Sequence, residues 1–313
     1  MMNVNYLNAV TQFQASPTVC NFLQVLSADS WERIKFARTR KGLRVYETTI
    51  TQNLLFELRR TKEIVNAMMG RYIWNIRIYE SINEKANGND IELFIPFNKG
   101  YLFFPTQAKI IYHQGFKGKH KMSNGNYPSM NHFMKTTGKQ QLNSLLAYAA
   151  NRKGYPLYLL YNYVNNSLSK ASRCNIGFEE EQYGCSITSA KFINKQYYSG
   201  GLWNIPTFND LHPKYAHPWF ILACCFSKSN DLNDIASTYF PFDGEFPKND
   251  LRVYTSNEVD QSNGWRDFDL TEVPNEVFRE GDEQNQIAFI PKFRIVLDLE
   301  TIHPKFQEGK YRI

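Results

Sequence analysis

The sequence predicts an α/β protein in which helices flank a central mixed sheet. Two mostly apolar runs, residues 90–96 and 101–111, are separated by a short segment ending in Gly100, which is the pattern of a β-hairpin. Helical patterns occur before and after this hairpin, and a buried strand follows the second of them. Hydrophobic residues make up 42% of the 313-residue chain and charged residues 21%, so the class of disordered proteins is excluded.

The N-terminal segment, residues 1–41, is expected to be a helical extension. Residues 27–30 offer N-cap candidates, and Trp31, Ile34 and Phe36 supply apolar anchors for the helix that would follow. This extension is treated as separate from the core.

The predicted core, residues 42–165, begins with a second helix. Thr49 or Thr51 can cap its N-terminus, and Gly70 ends it. Its inner face carries apolar residues at helical spacing: Leu54, Leu55, Leu58, Ile64 and Val65. Residues 71–81, rich in isoleucine and aromatic residues, are predicted to form a strand that precedes the hairpin.

After the hairpin, residues 113–138 are polar and rich in glycine and lysine, which predicts a long loop. A helix is expected over residues 140–151 and a buried strand over residues 157–164. The core therefore has the order helix, strand, strand, strand, helix, strand. The rest of the chain, residues 166–313, is expected to form an α+β elaboration, with ordered stretches near residues 184–193, 219–226 and 287–299.

The distribution of charge is more informative than the net charge of +6. From Leu93 to Phe178 the chain has no Asp or Glu, although many lysines and arginines lie in the same span. An acid-free basic segment around the hairpin indicates a polyanion partner such as nucleic acid. The alternative is a solvated basic face whose acids come from elsewhere in the fold.

Cysteine usage and hydropathy bear on the cellular compartment. The cysteines have irregular spacing and do not resemble a disulfide framework: Cys20, Cys174, Cys185, Cys224 and Cys225. They also lack the CxxC spacing of a zinc ribbon, so buried free thiols are expected. The longest apolar stretch, near residues 220–226, is too short to cross a bilayer, and no signal peptide is evident. We therefore expect a reduced, cytoplasmic protein without a membrane association.

Several polar residues gather at one end of the predicted hairpin. Asp90 opens the first strand, whereas Gln107 and Lys109 lie near the end of the second strand and share a face. The turn lies at the other end, so these side chains can converge. Mg²⁺ or Mn²⁺ prefers oxygen ligands, which the Asp90 carboxylate, the Gln107 side chain and the Ala108 carbonyl could supply. Lys109 could orient a water or neutralise developing charge.

A further carboxylate would complete a metal site. Glu47, just before the predicted helix, is the first candidate. Its rivals are other upstream or neighbouring acids: Glu57, Glu80, Glu84 and Glu92, the last being two residues beyond Asp90. In the alternative interpretation, Asp90 is a turn residue and Lys109 is a charge at a sheet edge.

Other polar and aromatic residues have simpler interpretations. His212 and His217, each followed by proline, are expected to be structural histidines in a loop. His113 either faces the site or caps the strand end. The tyrosines at alternating positions after residue 154 are explained by core packing and cross-strand pairing: Tyr155, Tyr158, Tyr161 and Tyr163.

Glu47, Asp90 and Gln107-Ala108-Lys109, in this order of elements, resemble the PD-(D/E)XK, or restriction-endonuclease-like, nuclease superfamily in its Mrr-like Gln-x-Lys variant. More narrowly, the chain from about residue 42 onward resembles an uncharacterised bacterial family of that superfamily. The motifs that carry this narrower likeness are Glu47-Thr-Thr-Ile-Thr51, Gly88-x-Asp90-x-Glu92, Gln107-Ala-Lys109, Pro156-Leu-Tyr158, Tyr161-Asn162, Tyr183-Gly-Cys185-Ser186 and Cys224-Cys225.

The resemblance implies a Mg²⁺-dependent endodeoxyribonuclease that hydrolyses phosphodiester bonds of DNA. Asp90 would be the metal-binding acid, Gln107 the second metal-site residue, Lys109 the catalytic lysine and Glu47 the helix-borne acid. Because Gln107 brings no negative charge where the superfamily motif has Glu, metal affinity should be weaker unless Glu47 or Glu92 compensates.

The resemblance also implies a biological setting, namely bacterial defence against foreign DNA together with partner proteins. Cutting both strands would favour a symmetric homodimer. The competing hypothesis is a nucleic-acid-binding or protein-interaction module whose site is catalytically degenerate.

Overall fold

The computed structural model describes most of the chain, in ranges separated by short gaps: residues 4–40, 43–68, 75–82, 90–114, 121–134, 139–164, 180–199, 201–226, 229, 231–240, 251–260, 264–268 and 291–298. The helices are α1 (Val4–Ala15), α2 (Val19–Thr39), α3 (Glu47–Met68), α4 (Gln141–Asn151), α5 (Ala190–Tyr197), α6 (Phe208–Leu211), α7 (Ile221–Cys224), α8 (Leu232–Tyr239) and α9 (Ser256–Asp260). None of the described helices combines the length and apolarity needed to span a membrane.

The first strands, up to the end of the acid-free segment, are β1 (Asn75–Ser81), β2 (Asp90–Phe97), β3 (Gly100–Ile110), β4 (Tyr112–Gln114), β5 (Lys121–Asn126), β6 (Phe133–Met134), β7 (Lys139–Gln140) and β8 (Leu157–Tyr161). The later strands are β9 (Cys185–Ser189), β10 (Tyr198–Ser199), β11 (Leu202–Trp203), β12 (Ala216–Pro218), β13 (Val253–Tyr254), β14 (Trp265–Asp267) and β15 (Phe293–Asp298).

A mixed sheet forms the centre of the protein. Its strand order is β12-β9-β8-β3-β2-β15-β1-β14, and β13 adds to β3. The β3–β8 and β2–β15 pairs are parallel, whereas the other pairs are antiparallel. Helices cover both faces, since α3 reaches the sheet through Thr51, which contacts Tyr161, and α4 through Tyr148, which contacts Glu92 on the opposite face. The predicted class, α/β with a mixed sheet flanked by helices, is confirmed.

The predicted hairpin is confirmed as β2 and β3, which pair from Asp90 opposite Gln107 to Phe97 opposite Gly100. Asn98 adopts a positive φ of 53° in the turn, a conformation that asparagine tolerates better than most residues. Every residue of β3 is buried. The hairpin is therefore a central pair of the sheet and holds its polar end residues inside the protein.

The strand β15 comes from the predicted C-terminal region and lies between β1 and β2. It pairs in parallel with β2, from Phe293 opposite Ile91, and antiparallel with β1. The main hydrophobic cluster includes residues from all three predicted segments of the chain. Contributions from distant parts of the sequence are therefore needed to complete the sheet around the hairpin.

The N-terminal helices differ in detail from the prediction. Helix α2 begins after Thr18, whose side chain accepts a hydrogen bond from the Asn21 amide at 3.1 Å, so the expected cap at residues 27–30 is wrong. Ser27 lies inside the helix and donates to the Leu23 carbonyl, a contact that lets a buried serine continue a helix. Phe36, an expected anchor, is 52% exposed.

Helix α3 begins at Glu47, so Thr49 and Thr51 do not cap it. The Thr51 hydroxyl is instead buried and bonded to the Tyr161 hydroxyl at 2.7 Å. Ile64, expected on the inner face, is 49% exposed. The predicted stop at residue 70 lies outside the described residues, as do residues 71–74 of the predicted strand.

The segment predicted as one long loop after residue 113 contains more structure than expected. Its described residues form the antiparallel pair β4–β5, a 3-10 turn at residues 128–130, and the strand β6, which pairs with β7. Gly125 has a φ of 59° and packs against Ile111, so a side chain there would meet both a left-handed backbone and a close neighbour.

Helix α2 is tied to the C-terminal region in two ways. Cys20 and Cys224 form a disulfide, so the expectation of a wholly reduced chain is wrong; a pairing across a sequence separation of 204 has no local signal. Gly184 lies so close to the Ser27 carbonyl that an added Cβ would sit at 1.9 Å, so only glycine fits. Burial raises the pKa of the free Cys185 thiol to about 12, and Cys174 lies outside the described residues.

His212 is a buried structural histidine, as expected. Its Nδ1 donates to the Phe208 carbonyl at 3.0 Å, and its Nε2 lies 2.7 Å from the Ser186 hydroxyl, which also accepts from Asn162 at 2.9 Å. Burial lowers the pKa of His212 to about 3, because the interior disfavours the charged imidazolium. The ring therefore serves as a neutral link in a closed network.

The buried His212 predicts an acid-sensitive fold. The unfolded chain takes up a proton as the pH falls below about 6.5, whereas the folded chain does not until about pH 3, so the contribution to stability is complete above this window and is lost within it. We expect the free energy of unfolding to fall by about 2 kcal/mol more between pH 6.5 and 4.5 in the wild type than in His212→Gln. Urea titrations at several pH values measure this, and parallel pH profiles would contradict it.

Candidate functional site

The start of β2 and the end of β3 place two of the predicted site residues in contact. Asp90 lies directly opposite Gln107, and Gln107 Nε2 donates to Asp90 Oδ1 at 3.0 Å. Each side chain is only 1% exposed. A buried carboxylate with an amide beside it forms a polar pair at this end of the hairpin.

Lys109 lies two residues beyond Gln107 on the same face of β3 and is 4% exposed. Its Nζ donates to Gln141 Oε1 at 3.0 Å, and Gln141 is the first residue of α4. The Gln141 backbone amide in turn donates to the carbonyl of His132. The lysine ammonium is therefore held by the start of the helix that covers this face of the sheet.

Tyr158 relates Glu47, the fourth predicted site residue, to Asp90 and Gln107. It lies beside Gln107 in the parallel β3–β8 register and is fully buried. Burial raises the pKa of its hydroxyl, and the charges of Asp90 and then Glu47 raise it further. Both carboxylates therefore act on the same hydroxyl group, and Glu47, 8% exposed at the start of α3, belongs to the same end of the sheet.

Gln107 Oε1 and the Tyr158 hydroxyl are buried at this site and form no hydrogen bond with any described residue. Leaving such an atom unsatisfied costs about 1–3 kcal/mol, so buried polar atoms without protein partners usually bind water or an ion. Gln107 Oε1 belongs to the same amide group whose nitrogen donates to the Asp90 carboxylate, so the two oxygen-bearing groups are neighbours. An amide oxygen and two carboxylates are ligands that Mg²⁺ or Mn²⁺ accepts, so the donor set fits such an ion.

The candidate set is nevertheless poor in charge. Within the described ranges, no three His, Cys, Asp or Glu side chains converge in the manner of a metal cluster. A metal here would rest on Asp90, Gln107 and Glu47. The carbonyl of Ala108 was a further candidate ligand. Ala108 is the residue of β3 after Gln107, where the pairing with β2 has ended, and its neighbour is Leu159 on β8.

The rival acids are engaged elsewhere. Glu92 is fully buried and is bonded by Arg294, Arg152 and the Tyr148 hydroxyl. Glu80 on β1 lies 3.1 Å from both Arg266 and Lys292, and Glu57 pairs with Arg60 on the surface of α3. Glu84 lies outside the described residues. Of the described acids, Glu47 is the one that shares an electrostatic partner with Asp90.

The structure adds three residues that the sequence did not assign to the site. Gln141 holds the lysine, and the charges of Asp90 and Glu47 both act on Tyr158. His132 lies close enough to Lys109 for the lysine charge to lower its pKa, although burial is the larger cause. Tyr158 was assigned to core packing because alternating tyrosines look alike in sequence. A polar residue at the first position of an apolar helix was the available signal for Gln141.

The acid-free segment does not form one basic patch among its described cations. Lys109 is buried and Arg152 is paired with Glu92. Lys139 is exposed on β7, immediately before α4, whereas Lys99 is exposed in the hairpin turn at the opposite end of β2 and β3. The remaining lysines and arginines of the segment have undescribed side chains or lie at exposed positions away from the site.

Fold and site together define a class: an α/β protein with a buried cluster of acid, amide and lysine side chains at one end of its central hairpin. Residues 19–282 match a protein family described as a family of unknown function (DUF6615), and the chain belongs to this family. Searches among curated proteins and among solved structures give no match.

Proposed function

We propose that this protein is a metal-dependent nuclease that hydrolyses phosphodiester bonds of DNA, with a restriction-endonuclease-like core. The observation that carries the proposal is the unsatisfied, buried Gln107 Oε1 beside the Asp90 carboxylate, with Lys109 on the same strand face. With the short strands β4–β7 set aside, the order α3, β1, β2, β3, α4, β8 supports it, because it is the order that the superfamily resemblance implies. In this chain β15 lies between β1 and β2, so the core would carry an inserted strand.

Asp90, Gln107 and Glu47 would hold the metal. Bound there, Mg²⁺ or Mn²⁺ would supply Lewis-acid polarisation of a phosphodiester and lower the pKa of a water. The protein's own contribution is positional. Gln107 fixes one oxygen of Asp90 through its amide, and the register of β2 and β3 holds both residues at the same level of the sheet.

Lys109 supplies a positive charge at the same face. Its ammonium donates to Gln141, which leaves further protons of the group to orient a water or to neutralise charge on a phosphorane. Because Lys109 and Gln107 are buried, their interactions with a reacting group would be stronger than in water.

The support for DNA as the substrate comes from the sequence alone, in the excess of lysine and arginine over the acid-free segment, since nucleic-acid affinity depends on cations that neutralise phosphates. The described cations of the segment do not form one patch. A cytoplasmic role in bacterial defence against foreign DNA, with partner proteins and a symmetric dimer, remains part of the proposal on the superfamily resemblance alone.

Metal binding by titration calorimetry tests the site directly. We expect Mn²⁺ and Mg²⁺ to bind the wild-type protein and binding to be lost in Asp90→Ala, because the variant removes the central carboxylate. Asp267→Ala is the matched control, since Asp267 is an exposed acid on β14 at the sheet edge. Equal metal binding by wild type and Asp90→Ala would place the metal elsewhere and contradict the proposed site.

A second candidate function is a nucleic-acid-binding or protein-interaction module with a degenerate site. The observation in its favour is that the described part of the chain gives the site two carboxylates, Asp90 and Glu47, and that Lys109 is bound to Gln141. Such a module would bind DNA with the same affinity in Asp90→Ala as in the wild type and would bind no divalent metal. DNA binding without metal binding would therefore favour the module over the nuclease.

A further inference from the structure

Arg38 lies near the end of α2 and reaches the strand that carries the candidate site. Its Nη2 donates to the Ile111 carbonyl at 3.1 Å, and its guanidinium carbon lies 4.8 Å from the centre of the Tyr112 ring. Ile111 and Tyr112 follow Lys109 directly along the chain. Arg38 is therefore anchored at the end of β3 closest to the polar cluster.

Arg38 is unusual in having no acidic partner. Among the described arginines that are not exposed, every other one forms an ion pair with a carboxylate: Arg59 with Glu63, Arg77 with Asp260, and Arg152 and Arg294 with Glu92. Arg38 has no such pair within the described residues, and its Nε is buried without a hydrogen bond. Burial lowers the pKa of Arg38, and the Tyr112 side chain, through its charge and a hydrogen bond, raises it by less.

His113 lies beside Arg38 and, like it, forms no ion pair with a described carboxylate. Both of its ring nitrogens are buried, and its polar contact is to the Tyr163 backbone, a contact that raises its pKa by less than burial lowers it. Its ring lies 5.7 Å from that of Tyr163, and Arg38 is close enough for its charge to act on the imidazole. An acid also acts on the neighbouring Tyr163: the charge of Glu32 raises the pKa of the Tyr163 hydroxyl. Glu32 is itself paired with Lys35.

We propose that Arg38 and His113 bind a phosphate group. A phosphate brings the negative charge that Arg38 lacks, and its oxygens accept hydrogen bonds from guanidinium and imidazole nitrogens. The ring of Tyr112 holds the guanidinium plane in place from one side. The backbone carbonyl of Ile111 binds Nη2, which leaves Nη1 and Nε of the guanidinium as donors for a phosphate oxygen.

The position of this site suggests which phosphate it holds. His113 is four residues beyond Lys109, a separation of at most about 13 Å along extended chain. Resting on the proposed function, we assign the site to a backbone phosphate of the nucleic acid, next to the bond to be cut. A free phosphate or a nucleotide has the same chemistry, and the experiment separates these sources.

The test compares Arg38→Gln with the wild type in binding a fluorescein-labelled 12-base-pair DNA by anisotropy, in EDTA so that no cleavage occurs. We expect the affinity to fall about 10- to 100-fold, because one charge-assisted contact is lost. The slope of log affinity against log salt should decrease by about one. Arg33→Gln is the matched control, since Arg33 is exposed on the same helix and paired with Asp29.

Two further variants keep the proposal testable if Arg38→Gln does not fold. Arg38→Lys keeps the charge but loses the planar fork, and should bind DNA with intermediate affinity and an unchanged salt slope. His113→Gln removes the second group without touching the α2–β3 contact, and should weaken binding in the same direction as Arg38→Gln. Thermal unfolding of each variant shows whether it is folded.

Competition by inorganic phosphate identifies the source. Arg38-dependent binding of millimolar phosphate would assign the site to a free phosphate or nucleotide, whereas Arg38-dependent binding of DNA alone would assign it to the backbone. If folded Arg38→Gln and His113→Gln bind both probes like the wild type, the proposal is overturned. An Arg38-dependent affinity in a protein that binds no metal would keep this site and reject the nuclease.

Discussion

Replacing Lys109 with alanine is expected to lower the rate of DNA cleavage by about 100- to 1,000-fold while leaving DNA affinity nearly unchanged. The ammonium of Lys109 is buried on the strand face that carries Gln107 and is held by Gln141 at 3.0 Å. In the proposed nuclease it would act on the reacting phosphate, whereas it is too buried to contribute to the first electrostatic contact with DNA. Single-turnover cleavage of a supercoiled plasmid in Mg²⁺ or Mn²⁺ measures the rate.

The control for this variant lies on the same hairpin. Lys99 has the same charge but is exposed in the turn at the opposite end of β2 and β3, so Lys99→Ala should cleave like the wild type. Lys109→Met keeps the aliphatic stem in the core and separates loss of the ammonium from a packing defect. Cleavage that survives both Lys109 variants would show that the active site is elsewhere.

The parts of the site that could be predicted from sequence are those set by local rules. An apolar alternation and a turn segment fix the hairpin, and its register then places Asp90 opposite Gln107 without any further information. The shared face of Gln107 and Lys109 follows from the two-residue period of a strand. The helix α4 was predicted within one residue for the same reason, since its apolar spacing is local.

The parts that could not be predicted depend on contacts between distant segments. The Cys20–Cys224 disulfide joins residues 204 positions apart, and Arg294 reaches Glu92 across 202 positions. Nothing in the composition of β15 shows that it enters the sheet between β1 and β2, because any buried apolar strand would look the same. The role of Glu92 depends on β15 lying beside β2, because β15 carries Arg294.

Glu92 could have been a ligand or a structural ion, since its position two residues after Asp90 fits both. The structure surrounds it with Arg294, Arg152 and the Tyr148 hydroxyl, so its charge is neutralised within the protein. The cluster joins β15 and α4 to β2. Beside it, the Lys292 amide of the chain leading into β15 donates to the Asp90 carbonyl at 2.9 Å, so the same elements support the candidate site.

Replacing Arg294 with methionine is therefore expected to lower the free energy of unfolding by about 3 kcal/mol or more. Arg294 is 1% exposed, donates through Nε to Glu92 Oε2 at 2.7 Å and through Nη1 to the Val259 carbonyl at 2.7 Å. Its guanidinium also lies 4.2 Å from the centre of the Trp265 ring. The variant would leave Glu92 buried with fewer partners and would remove the hydrogen bond to the Val259 carbonyl. Equilibrium unfolding in guanidinium chloride measures the loss.

Two comparisons isolate the buried charge as the cause. Arg252→Met removes an arginine that pairs with Glu258 on the surface, where both side chains are more than a third exposed, and should cost no more than about 1 kcal/mol. The double variant Glu92→Leu/Arg294→Met removes both buried charges and should be more stable than Arg294→Met alone, because no carboxylate is then left without its main partner. If Arg294→Met costs no more than Arg252→Met, the Glu92 cluster does not stabilise the sheet beside Asp90.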